Sequence, residues 1–196
     1  MKINPINYNH NYCKEYYKTS HNGKISFESG KAVYAGSFDP ITLGHLDLIK
    51  EASNIFDKLI VLIAKNPKKQ GFLPVEKRMQ LIEQSVRDLK NVEVDTFEGL
   101  TVDYAKQHDA KYLLRGMRSV SDFDNEMQIS KINEVLNPNI KTVFLFSSSE
   151  NSAISSSTVR EILANHGDFK RFVPKPVFDY LSQLNFESNN IIKAGN

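Results

Sequence analysis

Residues Leu59–Ala64 read Leu-Ile-Val-Leu-Ile-Ala, an apolar run without a polar break. A strand with one wet face alternates apolar and polar residues, so an unbroken run describes a strand covered on both sides. Further strands are predicted at Lys31–Ala35, Val92–Phe97, Tyr112–Leu114 and Thr142–Phe146. Between and after them, helical spacing covers Leu43–Asn54, Val75–Leu89, Val102–His108, Asp122–Leu136, Ser157–Asn165 and Pro176–Leu184. Leu46, Ile49, Ala52 and Ser53 share one face of the first helix. Pro74 stands at the start of the second, where a missing N–H costs nothing. Asn137-Pro138 closes the longest one. Strands that alternate with helices predict an α/β fold, a doubly wound five-stranded parallel sheet that binds ligands at the carboxyl ends of its strands.

The remaining composition narrows the function. A chain of 196 residues suits one domain, expected over residues 31–186, with residues 187–196 as a tail. A net charge of +2 gives no surplus for nucleic-acid binding. The only cysteine, Cys13, excludes an internal disulfide framework. No apolar run reaches the length of a membrane span, and the first 30 residues lack the apolar core of a signal peptide. These features predict a soluble cytoplasmic protein without nucleic-acid or membrane partners. Residues 1–30 are rich in Asn, Tyr, Lys and Ser and show no sustained period, so they are expected to be an extension, disordered or draped on the surface.

The first strand ends in Ala35-Gly36-Ser37-Phe38-Asp39-Pro40-Ile41-Thr42-Leu43-Gly44-His45. Gly36 and Gly44 let backbone approach a ligand closely. Thr42 can cap the following helix, whose first-turn N–H groups favour an anion. His45 falls in that first turn. Asp39 and Pro40 are read as shaping the turn. A strand, a glycine turn, a helix start and a histidine together describe a phosphate site with its own donor. No Walker lysine loop and no GxGxxG is present.

This run resembles the T/HxGH signature of the nucleotidyltransferase α/β superfamily, and from about Lys31 to about Leu184 the chain is similar to the phosphopantetheine adenylyltransferases. The resemblance implies a Rossmann-like fold, and transfer of the adenylyl group of ATP to 4′-phosphopantetheine to give 3′-dephospho-coenzyme A and pyrophosphate. It also implies a homohexamer inhibited by coenzyme A. Arg115-Gly116-Met117-Arg118, leading to Glu126 and Gln128, is similar to the RGLRxxxDFxxExQ segment of that branch. Ile154-Ser155-Ser156-Ser157-Thr158-Val159-Arg160 resembles the ISSTxxR nucleotide motif. The nearest competing readings are a superfamily member acting on nicotinamide mononucleotide or on choline or glycerol phosphate, and an ATP-binding regulatory module without turnover.

Adenylyl transfer needs no general base, because a phosphomonoester is mostly dianionic at neutral pH. Its obstacle is repulsion between two anions, about 4 kcal/mol for unit charges 4 Å apart at an effective dielectric of 20. A suitable site therefore supplies cations and N–H donors and no nucleophile. His45 is the expected catalytic donor, kept neutral by the positive end of its helix. By resemblance, the Ser37 hydroxyl touches both substrates and the backbone of Ser37 and Phe38 touches ATP, although relatives more often have Thr at position 37. Lys69 matches the lysine that binds the phosphopantetheine phosphate, and Lys68 leaves that register open by one. Arg115 is assigned to the same phosphate, Gly116, Met117 and Arg118 to the ATP phosphates, and Thr101 to the pantetheine arm. Two arginines at i and i+3 around a glycine also make a plausible double anion clamp. Glu126 is read either as a nucleotide contact or as an arginine partner. Asn151, Ser152, Ala153, Ile154, Ser155, Ser156 and Ser157 complete the ATP set, with Asn151 standing where relatives often carry an aromatic. No cluster of Asp and Glu forms a metal cage, so Mg²⁺ is expected to arrive with ATP, keeping most of its waters.

Overall fold

The computed structural model describes residues 17–19, 25–27, 30–65, 71–118, 120–146 and 154–194. Five of its strands form one parallel sheet: β3 (Lys31–Gly36), β4 (Lys58–Ala64), β5 (Val92–Phe97), β6 (Tyr112–Met117) and β7 (Lys141–Phe146). Their order is β5-β4-β3-β6-β7. Val33 pairs with Ile60 on one side and Leu113 on the other, and Leu114 pairs with Val143. The order reverses between β3 and β6, so their carboxyl ends part around a crevice, where sheets of this kind bind ligands.

Side chains alternate across a strand, which divides this core in two. Ala32, Tyr34, Leu59, Val61, Ile63 and Leu114 face one cluster, closed by α1 (Leu43–Ile55), α2 (Val75–Val86), α5 (Ser156–Ala164) and α6 (Lys175–Ala194). Val33, Ile60, Leu62 and Leu113 face the other, with Val102, Tyr104 and Ala105 of α3 (Thr101–Gln107) and with Ile140. Both faces of β4 are thus dry, which accounts for its unbroken apolar sequence. The remaining helix, α4 (Val120–Leu136), packs on β6 and β7. Among the described residues no helix is long and apolar enough to cross a membrane.

Three sequence expectations change. The strand expected at Tyr112–Leu114 continues through Arg115, Gly116 and Met117, because its register with β7 extends to Met117 opposite Phe146. The last helix does not stop at Leu184 before a tail. It continues to Ala194, since no Pro or Gly interrupts the chain before Gly195. Inside the segment expected to be irregular, β1 (Tyr17–Thr19) and β2 (Ile25–Phe27) pair antiparallel, with β2 alongside α1. Each is a three-residue strand, too short for a period of two to register in the sequence.

Candidate active site

At the crevice between β3 and β6 lies a cleft of about 320 Å³. The starts of two helices open into it, with Gly44 and His45 from α1 and Ser155, Ser156 and Ser157 from the start of α5. Ser37 closes it from β3 and Arg118 from the end of β6. Unpaired N–H groups at two helix ends, plus a guanidinium, make the cleft a receptor for a polyanion.

His45 is the third residue of α1, and it completes a capping box with Thr42. The His45 backbone N–H donates to Thr42 Oγ1 at 3.4 Å, and the Thr42 backbone N–H donates to His45 Nδ1 at 3.1 Å. The Thr42 hydroxyl stands 2.8 Å from the same Nδ1. A backbone N–H can only donate, so Nδ1 carries the lone pair and the proton sits on Nε2. The edge of buried Phe38 abuts the imidazole, with ring centres 5.2 Å apart. Burial lowers the His45 pKa from 6.5 to about 4, and the nearby Arg118 charge adds to that. Helix position was the expected reason for a neutral ring; burial and Arg118 are the causes that the structure displays. Burial in the same core also raises the pKa of Tyr34, which lines the cleft beside Gly116.

The turn bearing Ser37 is held from three sides. Asp39 is buried, and its two carboxylate oxygens accept the Phe72 and Leu73 N–H groups at 2.6 and 2.8 Å. From α5, Ser156 Oγ donates to the Pro40 carbonyl at 2.8 Å, and Arg160 Nη1 donates to the Asp39 carbonyl at 2.6 Å. Ser156 and Arg160 are one helical turn apart, so a single face of α5 clasps the turn. At the cap of α5, Ser155 Oγ accepts the Thr158 N–H at 3.0 Å and lies 2.8 Å from Ser157 Oγ. The serines therefore cap their helix and line the cleft as well.

Arg115 and Arg118 line different cavities. Arg118 lines the cleft, 48% of its side chain exposed, with Asp122 Oδ2 3.4 Å from its Nε. Arg115 opens on a second cavity of about 180 Å³ with Thr101, Leu100, Val33 and Ala35. Alternation along β6 sends neighbouring residues to opposite faces, which separates the two guanidiniums. Glu126 is a partner of Arg115, accepting both Arg115 Nε and, at 2.9 Å, Arg115 Nη2. Thr101 is the first residue of α3 and lines the Arg115 cavity.

Residues 33–162 match the family model described as cytidylyltransferase-like. Over 146 residues the chain is 51% identical to a phosphopantetheine adenylyltransferase of Synechococcus sp., a match that spans 74% of this chain and 92% of that one. A phosphopantetheine adenylyltransferase of Clostridium kluyveri is 47% identical over 147 residues, 75% of this chain and 90% of that one. The chain belongs to the phosphopantetheine adenylyltransferase family. Its fold is also that of a nicotinic acid mononucleotide adenylyltransferase from Plasmodium falciparum, with a TM-score of 0.62 at 19% identity, covering 81% of this chain and 97% of that one.

Among the adenylyltransferase residues expected from sequence, the structure gathers Ser37, His45, Gly116, Arg118, Ile154, Ser155, Ser156 and Ser157 at one cleft. Phe38 and Met117 are buried, 1% and 3% exposed, and turn their side chains into the core. Lys68, Lys69, Asn151, Ser152 and Ala153 lie outside the described residues. Tyr34 and Leu48 line the cleft without having been singled out for it, and Arg160, which closes the nucleotide motif, lines it too. Tyr34 was legible in principle, as it stands one alternation before Gly36 on the same strand. Among the described residues no group of three or more His, Cys, Asp or Glu is arranged to hold a metal ion.

Proposed function

We propose that this chain transfers the adenylyl group of ATP to 4′-phosphopantetheine, giving 3′-dephospho-coenzyme A and pyrophosphate. An oxygen of the acceptor phosphate attacks the α-phosphorus of ATP. The bond from that phosphorus to the α,β-bridging oxygen breaks, and pyrophosphate leaves with the electron pair. The acceptor is already anionic, so no residue has to take a proton from it. The enzyme's part is to align two repelling anions in line and to meet the charge that grows on the α-phosphoryl oxygens.

The observation that carries this reading is the neutral His45 with its proton fixed on Nε2, at a cleft walled by two helix starts and Arg118. A neutral imidazole donates one N–H without needing to be charged first. The Arg115 cavity, on the other face of β3 and β6, suits an acceptor with a phosphate and an arm, with Arg115 on the phosphate and Thr101 beside the arm. By the family resemblance, Lys69 is a second cation for that acceptor phosphate. Mg²⁺ would come bound to ATP, keeping most of its waters, and would supply charge neutralisation at the phosphates. Coenzyme A carries the same pantetheine arm and would compete for that cavity as a feedback ligand.

We also propose a homo-oligomer, six copies by the family resemblance, acting in the cytoplasm. Exposed apolar side chains on α4 support association: Ile129, Ile132 and Leu136 recur at helical spacing, and Val135 beside them is 84% exposed. Phe146, at the end of edge strand β7, adds to them.

Pyrophosphate release with ATP and a panel of acceptor phosphates tests the reaction. 4′-Phosphopantetheine should be turned over, while nicotinamide mononucleotide and choline phosphate should not. His45→Ala should lower kcat by about two to three orders of magnitude with ATP binding little changed, as loss of one transition-state donor does. Arg115→Ala should weaken 4′-phosphopantetheine by about 2–4 kcal/mol. A preference for another acceptor, near-normal turnover by the His45 variant, or an Arg115 variant that loses only ATP affinity would each overturn the corresponding assignment.

A further inference from the structure

Position 78 breaks the pattern of its helix. On α2 the buried residues are Arg78, Leu81, Ile82 and Val86, so an arginine occupies the core face among aliphatic side chains. Arginine is almost never fully buried unless paired. Here 8% of Arg78 is exposed, and no carboxylate among the described residues lies within ion-pair distance of its guanidinium. Its Nε is buried with no hydrogen-bond partner among the described residues. Burying a guanidinium with no carboxylate in direct contact costs several kcal/mol, so the contacts it does make bear on why it is there.

Those contacts converge on the Ser37 turn. Arg78 Nη1 donates to the Ser37 carbonyl at 2.8 Å. Nη2 occupies the space beside Gly71, where an added Cβ would stand 3.1 Å from Nη2 and 3.2 Å from Asp39 Oδ2. Asp39 in turn holds the N–H groups of Phe72 and Leu73. Arg78 and Asp39 therefore flank the same space beside Gly71, one tied to the carbonyl at residue 37, the other to the N–H groups of residues 72 and 73. The peptide that Arg78 grips leads into Phe38, which sits at φ +46°, a left-handed conformation that a bulky side chain adopts only when its surroundings impose it. Phe38 then sets its ring against His45.

We infer that Arg78 is a positioning residue of the transfer reaction, which acts by fixing the Ser37–Phe38 peptide and so the placement of the Ser37 hydroxyl and the His45 ring against the substrate phosphates. The inference rests on the adenylyl-transfer reading for its assay, and on the contacts above for its content. Arg78 itself does not line the cleft.

Arg78→Met, Arg78→Lys and Arg78→Ala are compared with the wild type by pyrophosphate release and by ligand-free thermal melting. Arg78→Met keeps the apolar stem and removes the donors; kcat should fall about 30-fold or more, with both KM values within about threefold. Arg78→Lys keeps a cation and one donating nitrogen but loses the planar fork, and should recover about three- to tenfold of that loss, leaving kcat below half of wild type. Guanidinium at low millimolar concentration should raise kcat of Arg78→Ala while leaving the wild type unchanged. A merely structural arginine would lower the melting temperature and leave kcat of the folded protein intact, with no guanidinium response. If Arg78→Met does not fold, Arg78→Lys decides. A reduced kcat at near-wild-type melting temperature supports the inference, and kcat within twofold of wild type overturns it. A wild type that works on a different acceptor overturns only the substrate reading, since the same fold-changes are then read on that acceptor; one silent with every acceptor overturns both.

Discussion

At neutral pH the His45 imidazole should be uncharged, with its proton on Nε2 alone, and both properties are readable by nuclear magnetic resonance. Burial, helped by Arg118, lowers its pKa from 6.5 to about 4. At about 1.4 kcal/mol per pH unit, that is a bias of about 3 kcal/mol toward the neutral ring. About one molecule in a thousand then carries the imidazolium at pH 7, against about one in four for an exposed histidine. The unfolded chain binds a proton near 6.5, while the folded one resists until about 4, so stability present above 6.5 is lost as pH falls toward 4. About 2 of the 3 kcal/mol should go between about pH 7 and pH 5. His45→Gln, which removes the titrating group, should show a correspondingly shallower acid loss in denaturant melts. In ¹⁵N-labelled protein, Nε2 should have the shift of a protonated nitrogen and Nδ1 that of a bare one, both constant down to about pH 5. Arg118→Gln removes the smaller cause and should raise the midpoint while leaving it below 6.5. A midpoint near 6.5 in the wild type, or a proton on Nδ1, would refute the reasoning that the Thr42 cap and burial hold this ring neutral.

Two further outcomes follow from packing. A Cβ at Gly116 would stand 2.3 Å from Leu48 Cδ1 and 3.3 Å from the Tyr34 hydroxyl, so Gly116→Ala should push α1 or the Leu48 side chain and cost about 1–3 kcal/mol in urea melts. Unchanged stability would mean that Leu48 swings aside freely. Replacing Ile132 and Val135 together by lysine puts two charges on the exposed face of α4, and light scattering should then report smaller particles than the wild type. An unaltered mass would show that this face is not the one that associates.

Local chemistry was enough to read much of this protein. LIVLIA specifies a strand dry on both sides, and Thr42-x-x-His45 encodes a helix cap from four consecutive residues. Those signals depend on neighbours along the chain, so strands, helix starts and the nucleotide signatures could be placed from sequence.

The tertiary fold decided what depends on residues far apart in the chain. Only the family resemblance divided Arg115 and Arg118 between two substrates; in the fold, the alternation of β6 delivers them to different cavities on different faces of the sheet. Burial and Arg118 lower the His45 pKa; part of that burial comes from Phe38, whose ring lies against the imidazole and whose conformation depends on a turn clasped from α2 and α5. Arg78 looks like any surface arginine until α2 packs it beneath Ser37, 41 residues away. A pattern along the chain reports which elements form, because that is local; which charges meet, and which lose their water, is set only when the elements close around them.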